Sequence, residues 1–233
     1  MKKVIVLFSG GKDSMLSSIL LIEKGYEVIL VHYDNSFELG SENIQKGYER
    51  LVKKYGKDKV KYLGIKKIDA IFRTFIKSFY NLKVDKILNN YGKVTISQFN
   101  CLACRLSMYV TTIILCKQLN ISSVADGARK SQLFAIEQDE MLNLFKDLFK
   151  EYKINLLLPV KNLEDDFEEK NEFLIRGIIP KVNESQCLIG MPLSTGDEEI
   201  LIASANIYKK LLYPKISDLV ERYMNVGFGD EYL

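Results

Sequence analysis

The stretch "VIVLFSGGKDSMLSS", residues 4–18, sets the apolar run Val4-Ile5-Val6-Leu7 directly against glycine, serine, lysine and aspartate, and then continues into a helical pattern. The apolar run reads as a buried strand, and Leu16, Ile19 and Leu20 give the following helix one apolar face. Lys24-Gly25 places a cation and then a glycine where that helix should stop. A strand that ends in Ser9-Gly10-Gly11-Lys12-Asp13-Ser14 aims the free N–H groups and positive end of a helix at one point, which makes an anion site. Gly10 and Gly11 let the backbone approach a phosphate closely, Lys12 adds a mobile cation, and Ser9 and Ser14 add hydroxyls. The spacing fits neither the Walker loop nor the dinucleotide fingerprint.

Outward from that junction, apolar runs at 4–8, 28–32, 60–63, 121–125 and 154–158 alternate with helical patterns at 13–24, 41–55, 68–80, 102–119, 132–152, 165–176 and 198–212. The alternation predicts an α/β fold, a mostly parallel sheet with helices on both faces. A chain of 233 residues is expected to hold one main domain, residues 1–196, followed by a short helical C-terminal segment, 197–233. With 47% hydrophobic and 27% charged residues it is neither disordered nor fibrous. No uninterrupted apolar run approaches the roughly 20 residues of a membrane span, so no membrane partner and no signal peptide are expected. The net charge of +3 permits a phosphate-rich partner without demanding one.

The six letters Ser9-Gly10-Gly11-Lys12-Asp13-Ser14 resemble the pyrophosphate loop of the PP-loop ATP pyrophosphatases, the adenine nucleotide alpha hydrolase-like superfamily. The resemblance implies a Rossmann-like, HUP-type sheet and ATP as a cofactor. It also implies attack on the α-phosphate with loss of pyrophosphate, Mg2+ helping to neutralise charge. Lys12 would then steady the departing pyrophosphate while Asp13 and Ser14 order the loop. The end of the second strand, "LVHYDN", should reach the adenosine side, which makes His32 and Asp34 candidates for nucleotide or loop contacts. His32 is the only histidine, and a lone histidine at a strand end is more often structural. After another strand comes "ADGARKSQ", where Gly127, Arg129 and Lys130 would meet the ligand at the edge of the sheet. Related sulfur-transferring members carry a Gly-His and acidic pattern there; this chain has Asp126-Gly127 and two cations instead.

Four cysteines in a chain expected to be cytoplasmic read as metal or redox groups rather than disulfides. Cys101 and Cys104 form a C-x-x-C at an expected helix start, where thiols have lowered pKa, with Arg105 next. Cys187 lies far along the chain in a loop, and Cys116, among apolar neighbours, reads as a core residue. Three thiolates leave an iron-sulfur cluster one open iron. The combination resembles the iron-sulfur-dependent tRNA thiolation enzymes of the PP-loop superfamily, the tRNA 2-thiocytidine synthetases and cluster-bearing 4-thiouridine synthetases, over residues 4–190. That implies a 4Fe-4S cluster on Cys101, Cys104 and Cys187 in an ATP-dependent sulfurtransferase that takes sulfur from a donor. A persulfide relay resolved by Cys187, and an amidating enzyme with structural zinc, use the same residues.

The acceptor is expected to be tRNA or a small nucleobase-like molecule. With no segment resembling the THUMP module, the lysine-rich stretch 53–67 and Tyr208, Lys209, Lys210, Tyr213 and Lys215 are the candidate RNA surface. The C-terminal segment is equally a candidate homodimer contact.

Overall fold

The computed structural model describes residues 1–41, 44–180, 186–189 and 197–226. In chain order the elements are β1 (Lys2–Leu7), α1 (Lys12–Glu23), β2 (Tyr26–Asp34), β3 (Glu38–Leu39), α2 (Ile44–Tyr55), β4 (Val60–Lys67), α3 (Asp69–Tyr80), α4 (Val84–Tyr91) and α5 (Ile96–Leu119). They continue with β5 (Ser123–Ala125), α6 (Asp139–Glu151), β6 (Asn155–Leu157), α7 (Asp166–Leu174), β7 (Gln186–Cys187), α8 (Glu198–Ile207) and α9 (Ile216–Val226).

Five strands form one sheet in the order β4-β2-β1-β5-β6, and every pairing in it is parallel. Successive residues of β1 point to opposite faces. Val4, Val6 and Phe8 therefore enter the core under α1 and α2, while Ile5 and Leu7 enter the larger core with Phe75, Phe99, Tyr109 and Phe149. Each such side chain contributes roughly 1.5–3 kcal/mol on burial. The apolar run was continuous because the strand is covered on both sides. The C-terminal helices join the larger core through Ile207, Tyr208, Leu212, Ile216 and Val220.

Helix α5 is long and apolar enough to cross a membrane by length and composition, but 78% of that window is buried inside the fold. Its first turn is set by a capping box. The Thr95 hydroxyl accepts from the Gln98 N–H at 3.2 Å, and Gln98 Oε1 accepts from the Thr95 N–H at 3.0 Å. The helix thus begins six residues before the expected Leu102, and the C-x-x-C lies within it rather than at its N-terminus.

A second difference lies at 132–152, where one helix was expected. Two short 3₁₀ turns, Lys130–Gln132 and Ala135–Glu137, precede α6, with Leu133 between them at φ 61°. A left-handed leucine cannot continue a helix. The third is a two-residue antiparallel ribbon of β3 with β7, which places Glu38 opposite Cys187.

Tyr208 corrects the expected RNA surface. It is 3% exposed, donates its hydroxyl to Leu144 O at 3.3 Å, and belongs to the core, so it cannot stack on a base. In the stretch 53–67 most lysines are exposed, but Lys66 is buried.

Candidate active site

The strand order reverses direction at β1, with β2 on one side and β5 on the other. At such a switch the loops leaving the strands part and open a crevice. Here it is a cavity of about 510 Å³, whose walls include the ends of β1, β2 and β5 and one face of α5.

The β1 wall is the glycine loop. Gly10 holds φ 78°, a left-handed conformation that turns the chain from strand to helix. Ser9 Oγ accepts from the Gly11 N–H at 3.2 Å and lies 3.2 Å from Ser14 Oγ, which donates to Gly11 O at 3.1 Å. The loop is held open by its own serines, with Ser9, Asp13 and Ser14 on the cavity. Gly127 closes over it from β5. A Cβ on Gly127 would lie 2.9 Å from Ser14 N and 3.0 Å from the Asp13 carbonyl carbon, both backbone atoms, so only glycine lets these loops meet.

Lys12, Arg129 and Lys130 are placed differently from the sequence expectation. None of the three lines the cavity among the described residues. Lys12 Nζ lies 2.9 Å from the fully buried Glu169 and 3.8 Å from Asp166, both on α7. Burial works against its charge, but the hydrogen bond and charge of Glu169, with Asp166, raise its pKa on balance. Arg129 is 4% exposed, with its Nε 3.0 Å from Asp13 and a terminal nitrogen 2.7 Å from Asp166. Lys130 pairs with Asp139. The carboxylates of α7 thus neutralise cations beside the loop. The sequence hid this because Lys12 and Glu169 are remote along the chain, although the acidic first turn of α7 was visible.

His32 lines the cavity at 3% exposure, its Nδ1 3.1 Å from Phe8 O and its Nε2 3.0 Å from Glu38. It ties the end of β1 to the ribbon that carries Cys187. Asp34 accepts from the Ser36 N–H at 2.7 Å, which is a turn contact, and is not among the cavity residues.

Also lining the cavity, Cys101, Cys104, Arg105 and Met108 follow the i, i+3, i+4, i+7 spacing of one helix face. Cys187 arrives beside them on β7. All three cysteines and the glycine loop share this single cavity.

The family model described as Thiamine biosynthesis protein (ThiI) matches residues 1–135. The chain belongs to the ThiI family, a PP-loop family. A probable tRNA sulfurtransferase of Methanothermobacter thermautotrophicus is 25% identical over 131 residues, which is 56% of this chain and 30% of that protein. A 4-thiouridine synthetase solved in a complex with RNA and bound ATP superposes with a TM-score of 0.63 at 12% identity, a likeness of fold. It covers 97% of this chain, which spans 54% of that one.

In this ThiI-family chain the thiols do not have the lowered pKa expected at a helix start. Burial pushes Cys101 up to about 11, reinforced by Cys187 and opposed by Arg105, and pushes Cys104 up to about 12 despite a hydrogen bond from Asn35 at 3.3 Å. Cys116, also raised to about 12 by burial, is a core residue as read. Among the described residues no three His, Cys, Asp or Glu side chains are close enough to hold a metal ion. A single tetrahedral zinc needs its sulfurs nearly in contact. A cuboidal cluster spreads its thiolates wider, and three half-buried thiols around one cavity are the donor type it takes. Such a group would also supply the positive charge that buried thiolates need.

Beside them is a polar network of which sequence reasoning had noted only Arg105 and Asp126. Arg105 contacts Asp126 at 2.5 Å and Glu137 at 3.3 Å, and the Tyr109 hydroxyl donates to Asp126 at 2.6 Å. Burial opposes the Arg105 charge, and Asp126, Tyr109 and Glu137 more than offset it.

Proposed function

We propose that this chain is the catalytic part of an ATP-dependent tRNA sulfurtransferase, which adenylylates a carbonyl oxygen of a tRNA base and replaces that oxygen with sulfur. One observation carries the reading: the nucleotide loop and three cysteines open onto the same cavity. ThiI-family membership supports it, as do the RNA and ATP named for the solved structural relative.

The loop residues Ser9 to Ser14 bind the pyrophosphate portion of ATP, with Mg2+ sharing the charge. The polyphosphate competes with Asp166 and Glu169 for Lys12, which then stabilises the departing pyrophosphate. The acceptor oxygen attacks the α-phosphate, and AMP is the leaving group when sulfur arrives. Cys101, Cys104 and Cys187 would hold a 4Fe-4S cluster. When bound, that group offers an open iron for sulfide from an external donor. The reducing cytoplasm is the compartment that keeps such free thiols reduced.

Protein purified without oxygen should be brown and contain iron and acid-labile sulfide. Colourless protein with one zinc per chain and no iron would contradict the cluster. Loss of the iron to a chelator should abolish thiolation while leaving ATP binding intact.

A further inference from the structure

Asn35 has no part in the function proposed above, yet it lines the cavity just past the end of β2, at 1% exposure. A buried amide has an acceptor end and a donor end, and here both are engaged. Asn35 Oδ1 accepts from the Phe37 N–H at 2.9 Å, and Nδ2 donates to Cys104 Sγ at 3.3 Å. The first bond fixes the second. A backbone N–H can only donate, so the atom that meets it is the amide oxygen, and the atom turned to the sulfur is the amide nitrogen.

The backbone around Asn35 is shaped to hold that orientation. Ser36 stands at φ 63°, a left-handed conformation that serine rarely takes, and its N–H donates to Asp34 Oδ1 at 2.7 Å. The turn then enters β3, where Glu38 lies opposite Cys187 and 3.0 Å from His32 Nε2. Asn35 is thereby anchored on the sheet side of the cavity and reaches across to the helix that carries Cys101 and Cys104.

We infer that Asn35 is a positioning residue for the cluster ligand Cys104, whose sulfur its amide N–H orients and supports as that sulfur takes on negative charge. This rests on the sulfurtransferase reading and its three cysteine ligands. Asn35 would touch the ligand and not the iron. Burial and the neighbouring Glu38, Cys187 and Cys101 all disfavour negative charge on Cys104, and the Asn35 hydrogen bond opposes them. A sulfur that carries charge is a far better acceptor than a protonated thiol, so the bond strengthens once the thiol is a ligand. Hydrogen bonds to the coordinating sulfurs are among the features that set a cluster's reduction potential, and groups that orient metal ligands also set how firmly the metal is held. A donor aimed at the sulfur favours the state with one more electron, and losing it lowers the potential.

The test compares anaerobically purified wild type with Asn35→Ala and Asn35→Ser by ATP affinity, by iron retained against a chelator and by a dithionite titration followed by EPR. The serine hydroxyl can accept from the N–H two residues on, as asparagine does, but its side chain is too short to reach the sulfur. Asn35→Ser therefore keeps the turn and deletes only the contact with Cys104. Both variants should bind ATP like wild type. In both, the preference for the reduced cluster should fall about tenfold, the worth of one hydrogen bond to a charged group. That fall is a downward shift of about 59 mV for one electron. Half of the iron should also be lost at about a tenfold lower chelator concentration. An asparagine that serves the turn alone predicts a changed Asn35→Ala beside an Asn35→Ser at the wild-type potential, and that pattern would overturn the inference. So would a wild-type potential in both variants, or a loss of ATP affinity at an unchanged potential, which would assign Asn35 to the nucleotide. Wild type purified with zinc and no iron would overturn the cluster reading itself, and the inference with it.

Discussion

Cys187→Ala is expected to lower tRNA thiolation by roughly three orders of magnitude, about 4 kcal/mol of barrier, while ATP affinity stays at the wild-type value. The asymmetry follows from where Cys187 sits. It lines the cavity from the ribbon of β3 with β7, not from the glycine loop. Within the loop, Ser9, Gly11 and Ser14 are hydrogen-bonded to one another. Radiolabelled ATP binding and thionucleoside analysis on one preparation check both halves. A variant that thiolates at the wild-type rate would remove Cys187 from the sulfur chemistry. A variant that loses ATP binding as well would mean that the two walls are one structural unit.

Lys12→Ala should act twice, on turnover and on the fold. Removing one preorganised cation from the leaving pyrophosphate costs about 10²–10³ in kcat. The same change strands Glu169, which is fully buried and whose carboxylate depends on Lys12 at 2.9 Å. Breaking a buried pair by deleting one partner costs about 3–5 kcal/mol, and the 20% exposure of Lys12 puts this pair near the lower end. The double variant Lys12→Ala with Glu169→Gln separates the effects. It should recover stability, because the stranded charge is gone, and remain as slow as the single variant. Denaturant unfolding and pyrophosphate release check this. Recovery of both would make Lys12 a structural ion-pair partner only.

The glycine loop was legible in sequence because everything it needs is contiguous: an apolar strand, two glycines, a lysine and two serines within a few residues of one another. The pairing of Cys101 and Cys104, with Arg105 next, was legible by its spacing. Its start at Ile96 was also written there, in Thr95 and Gln98 at capping-box spacing, and went unread. The lowered thiol pKa was an inference from that misplaced start, and burial reverses it. What sequence could not supply was contact across long separations. A two-residue ribbon is too short to leave a period, yet it sets Cys187 opposite Glu38. The hold of α7 on Lys12 and Arg129 likewise left no local pattern. Residues 132–138 looked helical, and that reading concealed Phe134 and Glu137, which line the cavity. The left-handed Leu133 shows tertiary packing overriding local preference. Tyr208 failed in the opposite way, because an aromatic beside lysines suits both a nucleic-acid surface and a core edge.

The central claim is that ATP activation and the three cysteines work in one chamber. A crystal structure of anaerobically purified protein with a non-hydrolysable ATP analogue tests it most directly. The account predicts the α-phosphate in the cavity between the Ser9–Ser14 loop and the wall bearing Cys101, Cys104 and Cys187, with Lys12 turned from Glu169 to the polyphosphate. An α-phosphate bound outside that cavity, with the cysteines facing away from it, would contradict the account.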